Sequence, residues 1–149
     1  MRKAFVITLV ALGVSVGAGA ILYARNVAPG VPAIASADAA AGAPWVIKLH
    51  AQWCPVCMLT KGMWSEIEQH YAGRVRLAVF DFTDEATIAA TRIEAERLGL
   101  DAVLDEVGFA TGPVVILDGR TKDIVAWLDS RDFAEYRNAI DSAIAATGR

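Results

Sequence analysis

Cys54 and Cys57 are the two cysteines of the chain, and Pro55 and Val56 stand between them. Two thiols three positions apart can close a small disulfide ring, and when a helix starts between them both sulfurs lie on its first turn. This pairing suits reversible thiol–disulfide chemistry. The flanking pattern supplies the helix start: Trp45 to Leu49 is an apolar run that reads as a buried strand, while Val56, Leu59, Met63, Ile67 and Tyr71 recur at helical spacing. Cys54 then sits beside unpaired N-terminal amides, whose partial positive charge favours thiolate over thiol. Cys54 is the candidate nucleophile and Cys57 the resolving partner. The plain alternative is a permanent disulfide, but a bridge at a helix start stays open to exchange. A rival chemistry is a soft cation such as Cu(I) held by both sulfurs with His50 or Met58. A closed zinc site is poorly served, since it would need both histidines at unusual spacings.

The chain has 149 residues and a net charge of −3. Arg2 and Lys3 precede Ala4 to Leu22, nineteen residues without a charge, which read as a signal peptide or a single membrane anchor. Positive charges ahead of such a run hold the N-terminus in the cytoplasm and send the downstream chain across the membrane. The rest of the protein is therefore expected to be exported, periplasmic or otherwise extracytoplasmic. Segment 1–23 is thus signal or anchor, and the Ala-, Pro- and Gly-rich 24–43 is a tether. The remaining 44–149 has room for one small domain. Beyond Ala37 the chain carries eleven basic against seventeen acidic residues, a balance that argues against nucleic acid as a partner.

Within that domain a second strand, Val75 to Phe82, comes after a helix ending near Gly73, which makes a β-α-β unit with two parallel strands. Asp84 and Glu85 open a helix that stops at Gly99, and 100–112 reads as less regular, with room for a short helical turn. Pro113 to Leu117 and Ile124 to Leu128 flank a polar turn and form an antiparallel hairpin. Asp132 caps a last helix that places Phe133, Tyr136, Ile140 and Ile144 on one face.

A β-α-β unit with Trp53-Cys54-Pro55-Val56-Cys57 at its first strand-to-helix turn, then a helix, a hairpin and a final helix, resembles the thioredoxin superfamily. The resemblance covers Pro44 to Thr147 and implies an α/β fold: a minimal core with a four-stranded mixed sheet and helices on both faces. Gly62 falls where the family often kinks its first helix. Trp53, with Pro55, is expected to cover the redox pair and meet substrates. The family's cis-proline loop, which faces the disulfide and pairs with substrate backbone, maps to Thr111-Gly112-Pro113. Pro113 fits the cis position best, Gly112 is the other candidate, and a trans proline opening an edge strand is the plain reading. Where the family often has a buried acid this chain has Lys48, so a proton acceptor there would be a neutral amine; alternatively a charged Lys48 favours a thiolate, or its stem packs while its ammonium reaches water. His50, on the same strand face, is expected to be a satisfied, partly buried histidine rather than a proton-transfer group.

These features imply a thiol–disulfide oxidoreductase acting on cysteine pairs of envelope proteins and reset by a separate redox protein. It needs no cofactor or metal beyond the Cys54–Cys57 pair. The motif has no histidine between its cysteines, which inclines the expectation toward a reductant. The rival from another class is a copper-binding or non-catalytic binding module that displays the long 84–110 insertion to a partner.

Overall fold

The computed structural model describes residues 39–148. The apolar segment 4–22 and most of the tether lie outside the described residues. Among those described, no helix is long and apolar enough to cross a membrane.

Strand β1, Trp45–His50, is buried along nearly its whole length. An apolar run of this kind belongs inside a sheet rather than at its edge. The sheet is four-stranded and mixed, in the order β2-β1-β3-β4. β2 (Arg76–Asp81) runs parallel to β1, with Trp45 opposite Arg76 and His50 opposite Asp81. β3 (Val114–Leu117) runs antiparallel on the other side, from Trp45 opposite Leu117 to Lys48 opposite Val114. β4 (Ile124–Leu128) is an edge strand paired to β3. The Asp118–Asp123 turn closes this hairpin because the Asp118 carboxylate accepts the Arg120 and Thr121 amides, at 2.7 and 3.0 Å.

Alternation along the strands sorts two apolar layers. On one face Ile47, Leu49, Phe80, Val115 and Leu117 meet α3 (Glu85–Leu98) and α4 (Asp101–Val107). On the other, Val46, Leu77, Val114 and Ile116 meet α2 (Lys61–His70) and α5 (Phe133–Thr147). A short α1 (Pro55–Leu59) precedes α2.

Several local expectations are corrected. The first helix bends at Thr60, not at Gly62: the Thr60 amide and hydroxyl both take the Val56 carbonyl, at 3.0 and 2.9 Å, which closes α1. Gly62 lies inside α2, in open space. That helix stops at His70, and Gly73 turns the chain toward β2 with a φ of +73°. The irregular stretch expected after Gly99 is largely α4, a helix because Val103, Leu104 and Val107 bury one face against the sheet.

Candidate active site

Parallel pairing sets the ends of β1 and β2 side by side, so the loops leaving them meet. The Gln52 amide donates to the Thr83 hydroxyl at 2.9 Å, and the Trp53 indole donates to the Thr83 carbonyl at 3.1 Å. Thr83 is itself held by the Asp81 carboxylate, which accepts its amide at 2.9 Å and also its hydroxyl. The loop after β2 therefore braces the loop that carries the cysteines. Trp53 is pinned at its nitrogen while its ring stays 62% exposed beside the motif.

Cys54 is the N-cap of α1, in extended backbone, and Pro55 takes the first helical position, where its missing N–H costs nothing. The Cys57 amide donates to Cys54 Sγ at 3.2 Å. The Cys57 thiol points inward and donates to the Leu49 carbonyl at 3.6 Å. Both cysteines are buried, with Cys54 4% and Cys57 1% exposed.

From the hairpin side, the Gly112 amide donates to that same Leu49 carbonyl at 2.9 Å, and the Leu49 amide donates to the Pro113 carbonyl at 3.0 Å. Pro113 has no N–H to complete its pairing with Leu49, so the preceding residue supplies the donor. Gly112 bulges to do so, with a φ of +110°. This corrects the expectation of a cis proline at Pro113: no described peptide bond is cis, and Pro113 continues the strand edge. Gly112 is the residue that closes over the pair, since a Cβ added there would stand 3.9 Å from Cys54 Sγ.

The two thiols are electrically unlike. Burial works against a Cys54 thiolate, but the Cys57 thiol and amide, the Thr111 side chain and the Val56 amide outweigh it and hold the Cys54 pKa below the ordinary value. Burial pushes the Cys57 thiol up, and the neighbouring Cys54 sulfur adds to this. One sulfur is poised to be an anion while its neighbour keeps a proton.

These observations meet a match by the family model described as Thioredoxin over residues 35–95, the stretch that holds β1, the cysteine loop, β2 and most of α3. The matched stretch is similar to a thioredoxin domain, and the fold around it is thioredoxin-like. Two solved structures align with it. Trxlp from Edwardsiella tarda EIB202 does so at 14% identity over 68% of this chain and 84% of its own, with a TM-score of 0.44. A malarial protein aligns at 18% identity over 67% of this chain and 96% of its own, also with a TM-score of 0.44. The comparison with curated proteins found no match.

Within this thioredoxin-type site the other expected residues are differently placed. Cys54, Thr111 and Gly112 come together, with Val56 against Gly112. Lys48 is buried, and its ammonium stands 5.8 Å from the centre of the Trp64 ring. Burial lowers its pKa, opposed most by the charge of Cys57 and then of Glu68. His50 is not the satisfied histidine expected: its Nδ1 is buried without a hydrogen-bond partner. Its pKa is lowered by burial and then by Lys48, against Asp81, so the ring is neutral near pH 7. Met58 is exposed, and no three His, Cys, Asp or Glu groups among the described residues gather where a metal ion could sit. Leu49, Asp81 and Thr83 are the contributors that residue type did not reveal. Leu49 acts through its backbone, and Asp81 and Thr83 act across a strand pair.

Proposed function

We propose that the domain is a thiol–disulfide oxidoreductase in which Cys54 attacks and Cys57 resolves. The observation that carries this reading is the asymmetry of the pair, with the Cys57 amide on Cys54 Sγ and the Cys57 thiol turned inward on the Leu49 carbonyl. In the reducing direction the Cys54 thiolate attacks one sulfur of a client disulfide, forming a mixed disulfide and releasing the other client sulfur as a thiolate. Cys57 then loses its proton to solvent and attacks Cys54 Sγ, and the second client sulfur departs. Two electrons have passed to the client, and Cys54 and Cys57 are joined. Reduction is favoured over oxidation by the absence of a histidine between the cysteines. The charge pattern of Arg2 and Lys3 ahead of the apolar segment supports clients outside the cytoplasm, namely envelope proteins with cysteine pairs, and a separate redox protein, possessing its own dithiol, that resets the domain.

The test is a trapping experiment with a matched control. Cys57→Ser is expected to accumulate mixed disulfides through Cys54 with a disulfide-bonded client, whereas Cys54→Ser accumulates none. The potential of the intact pair against glutathione sets the direction, and a strongly reducing value agrees with the reductase reading. A pair that neither exchanges with glutathione nor traps a client sinks the proposal.

A further inference from the structure

Where α3 and α4 meet the chain leaving β2, they leave a cavity of about 150 Å³. Phe82, Ile88, Leu104 and Phe109 line it, and Arg92 and Asp105 stand among them. Ile88 and Arg92 lie one turn apart on α3, while Leu104 and Asp105 come from α4. Phe82 and Leu104 are buried, whereas Phe109 is 62% exposed, its ring edge-on to that of Phe82 at 5.6 Å. A large ring held in water beside an apolar hollow gains by being covered. The room is that of a benzene-sized group, well below the roughly 300–1,000 Å³ of cofactor and small-ligand sites. One side chain fits it. Arg92 and Asp105 are of opposite sign, and among the described residues neither belongs to an ion pair. A guanidinium gives to carbonyls and a carboxylate takes from amides, as the backbone on either side of a buried side chain requires. A lone anion would instead meet Asp105, and a lone cation Arg92. The cavity also flanks the cysteine loop. Phe82 precedes Thr83, whose carbonyl holds the Trp53 indole at 3.1 Å. Phe109 lies three residues before Gly112, where an added Cβ would stand 3.9 Å from Cys54 Sγ.

We propose that this cavity is a specificity pocket for the client, taking one large apolar side chain, Phe or Leu, from an extended client segment. Three residues of chain span at most roughly 11 Å, and an extended client advances about 3.3 Å per residue. The chosen side chain therefore stands roughly three or four residues from the client's reactive cysteine. The inference rests on the oxidoreductase reading and names the class of client sequence that the site selects. Binding covers Phe109 and the hollow beside it, while Arg92 and Asp105 engage the client backbone. The contact holds the client cysteine over Cys54 and leaves the sulfur chemistry as it was. It also gives the 84–110 segment a task at the site, since Ile88, Arg92, Leu104, Asp105 and Phe109 all belong to it.

The probe is a set of synthetic peptides with a single cysteine carried as a mixed disulfide with thionitrobenzoate. Phe, Leu, Ala or Asp is placed in turn at each position near that cysteine, on both sides. The second-order rate of reduction by the full chain is expected to be roughly tenfold higher for Phe and Leu than for Ala at one such position. Asp should be no faster than Ala there. Labelled peptides with serine in place of the cysteine, which cannot react, are followed by fluorescence anisotropy and should show the same preference in their dissociation constants. Ile88→Trp fills the cavity and Phe109→Ala removes its exposed wall. In both variants the Phe-to-Ala ratio is expected to fall to within about twofold of one. The ratio is taken within each variant, so a change in absolute rate does not enter it. Equal rates and affinities for Phe and Ala peptides at every position overturn the proposal, as does a preference that survives in either variant. Serine peptides that keep the preference while no cysteine peptide reacts would uphold the pocket and remove the oxidoreductase reading. Cysteine peptides that all react alike would do the reverse.

Discussion

At the scale of single residues, the site depends on one backbone carbonyl, that of Leu49, which receives both the Gly112 amide and the Cys57 thiol. Gly112 can take this place because it has no side chain. A Cβ there would come within 3.3 Å of Val56 Cγ1 and adopt a φ of +110° that suits glycine alone. Gly112→Ala should therefore cost about 1–3 kcal/mol of stability and slow attack by Cys54, through a displaced Val56 or a displaced loop. Glutathione exchange rates and a urea midpoint measured on the same protein check this, and a variant that matches the original in both refutes it. Trp53 has a different dependence, since its ring is free and only its nitrogen is anchored to Thr83.

At the scale of elements, α3 is more than a cover for the sheet. Its Thr91 is 1% exposed, and its hydroxyl accepts the Asp81 amide at 3.0 Å and donates to the Asp81 carbonyl at 3.2 Å. Asp81 in turn holds Thr83, and Thr83 holds the cysteine loop. The helix is fixed at its start by a capping box between Asp84 and Thr87 and at its end by Gly99 in left-handed backbone. Thr91→Val keeps the volume but strands the Asp81 amide, for an expected loss of about 1–3 kcal/mol. A urea midpoint that falls with an unchanged slope would agree; no change in midpoint would show that the Asp81 amide finds another acceptor.

At the scale of the whole molecule, two apolar layers flank one sheet, and Tyr136 ties the second layer to the edge strand. The ring is fully buried and its hydroxyl donates to the Ser130 carbonyl at 2.8 Å, just beyond β4. Burial, with Asp129 and Glu135 nearby, pushes its pKa up to about 12 from the ordinary value of 10.0. Unfolded chain can ionise this phenol above pH 10 while folded chain cannot, so rising pH favours unfolding across the interval between those two values. The contribution is fully present below the ordinary value and is lost at up to about 1.4 kcal/mol per pH unit above it. Tyr136→Phe should lower neutral stability by about 1 kcal/mol and flatten the alkaline decline. A decline as steep as before in the Phe variant would assign it to other groups, Tyr71 among them, whose pKa burial also raises.

Much of this protein is written locally. The apolar run at Trp45, the helical spacing from Val56, the Asp84 and Asp132 caps and the two cysteines are near-neighbour patterns, and each marks its element within a few residues because capping, helical periodicity and strand alternation are short-range effects. The α/β architecture with helices on both faces comes from their order. Tertiary packing decided what those elements present to one another. Whether Gly112 or Pro113 closes over Cys54 depended on which residue could donate to Leu49 across the β1–β3 register. The bend at Thr60 depended on a hydroxyl finding a carbonyl one turn back. The burial of Lys48 was settled only when the sheet formed around it, and Thr83 reads as an ordinary loop residue until β2 pairs beside β1. The sequence alone thus determined the kind and order of the elements and the pair of sulfurs; the tertiary structure alone decided which groups surround those sulfurs, because register is set by burying whole faces rather than by any residue's neighbours in the chain.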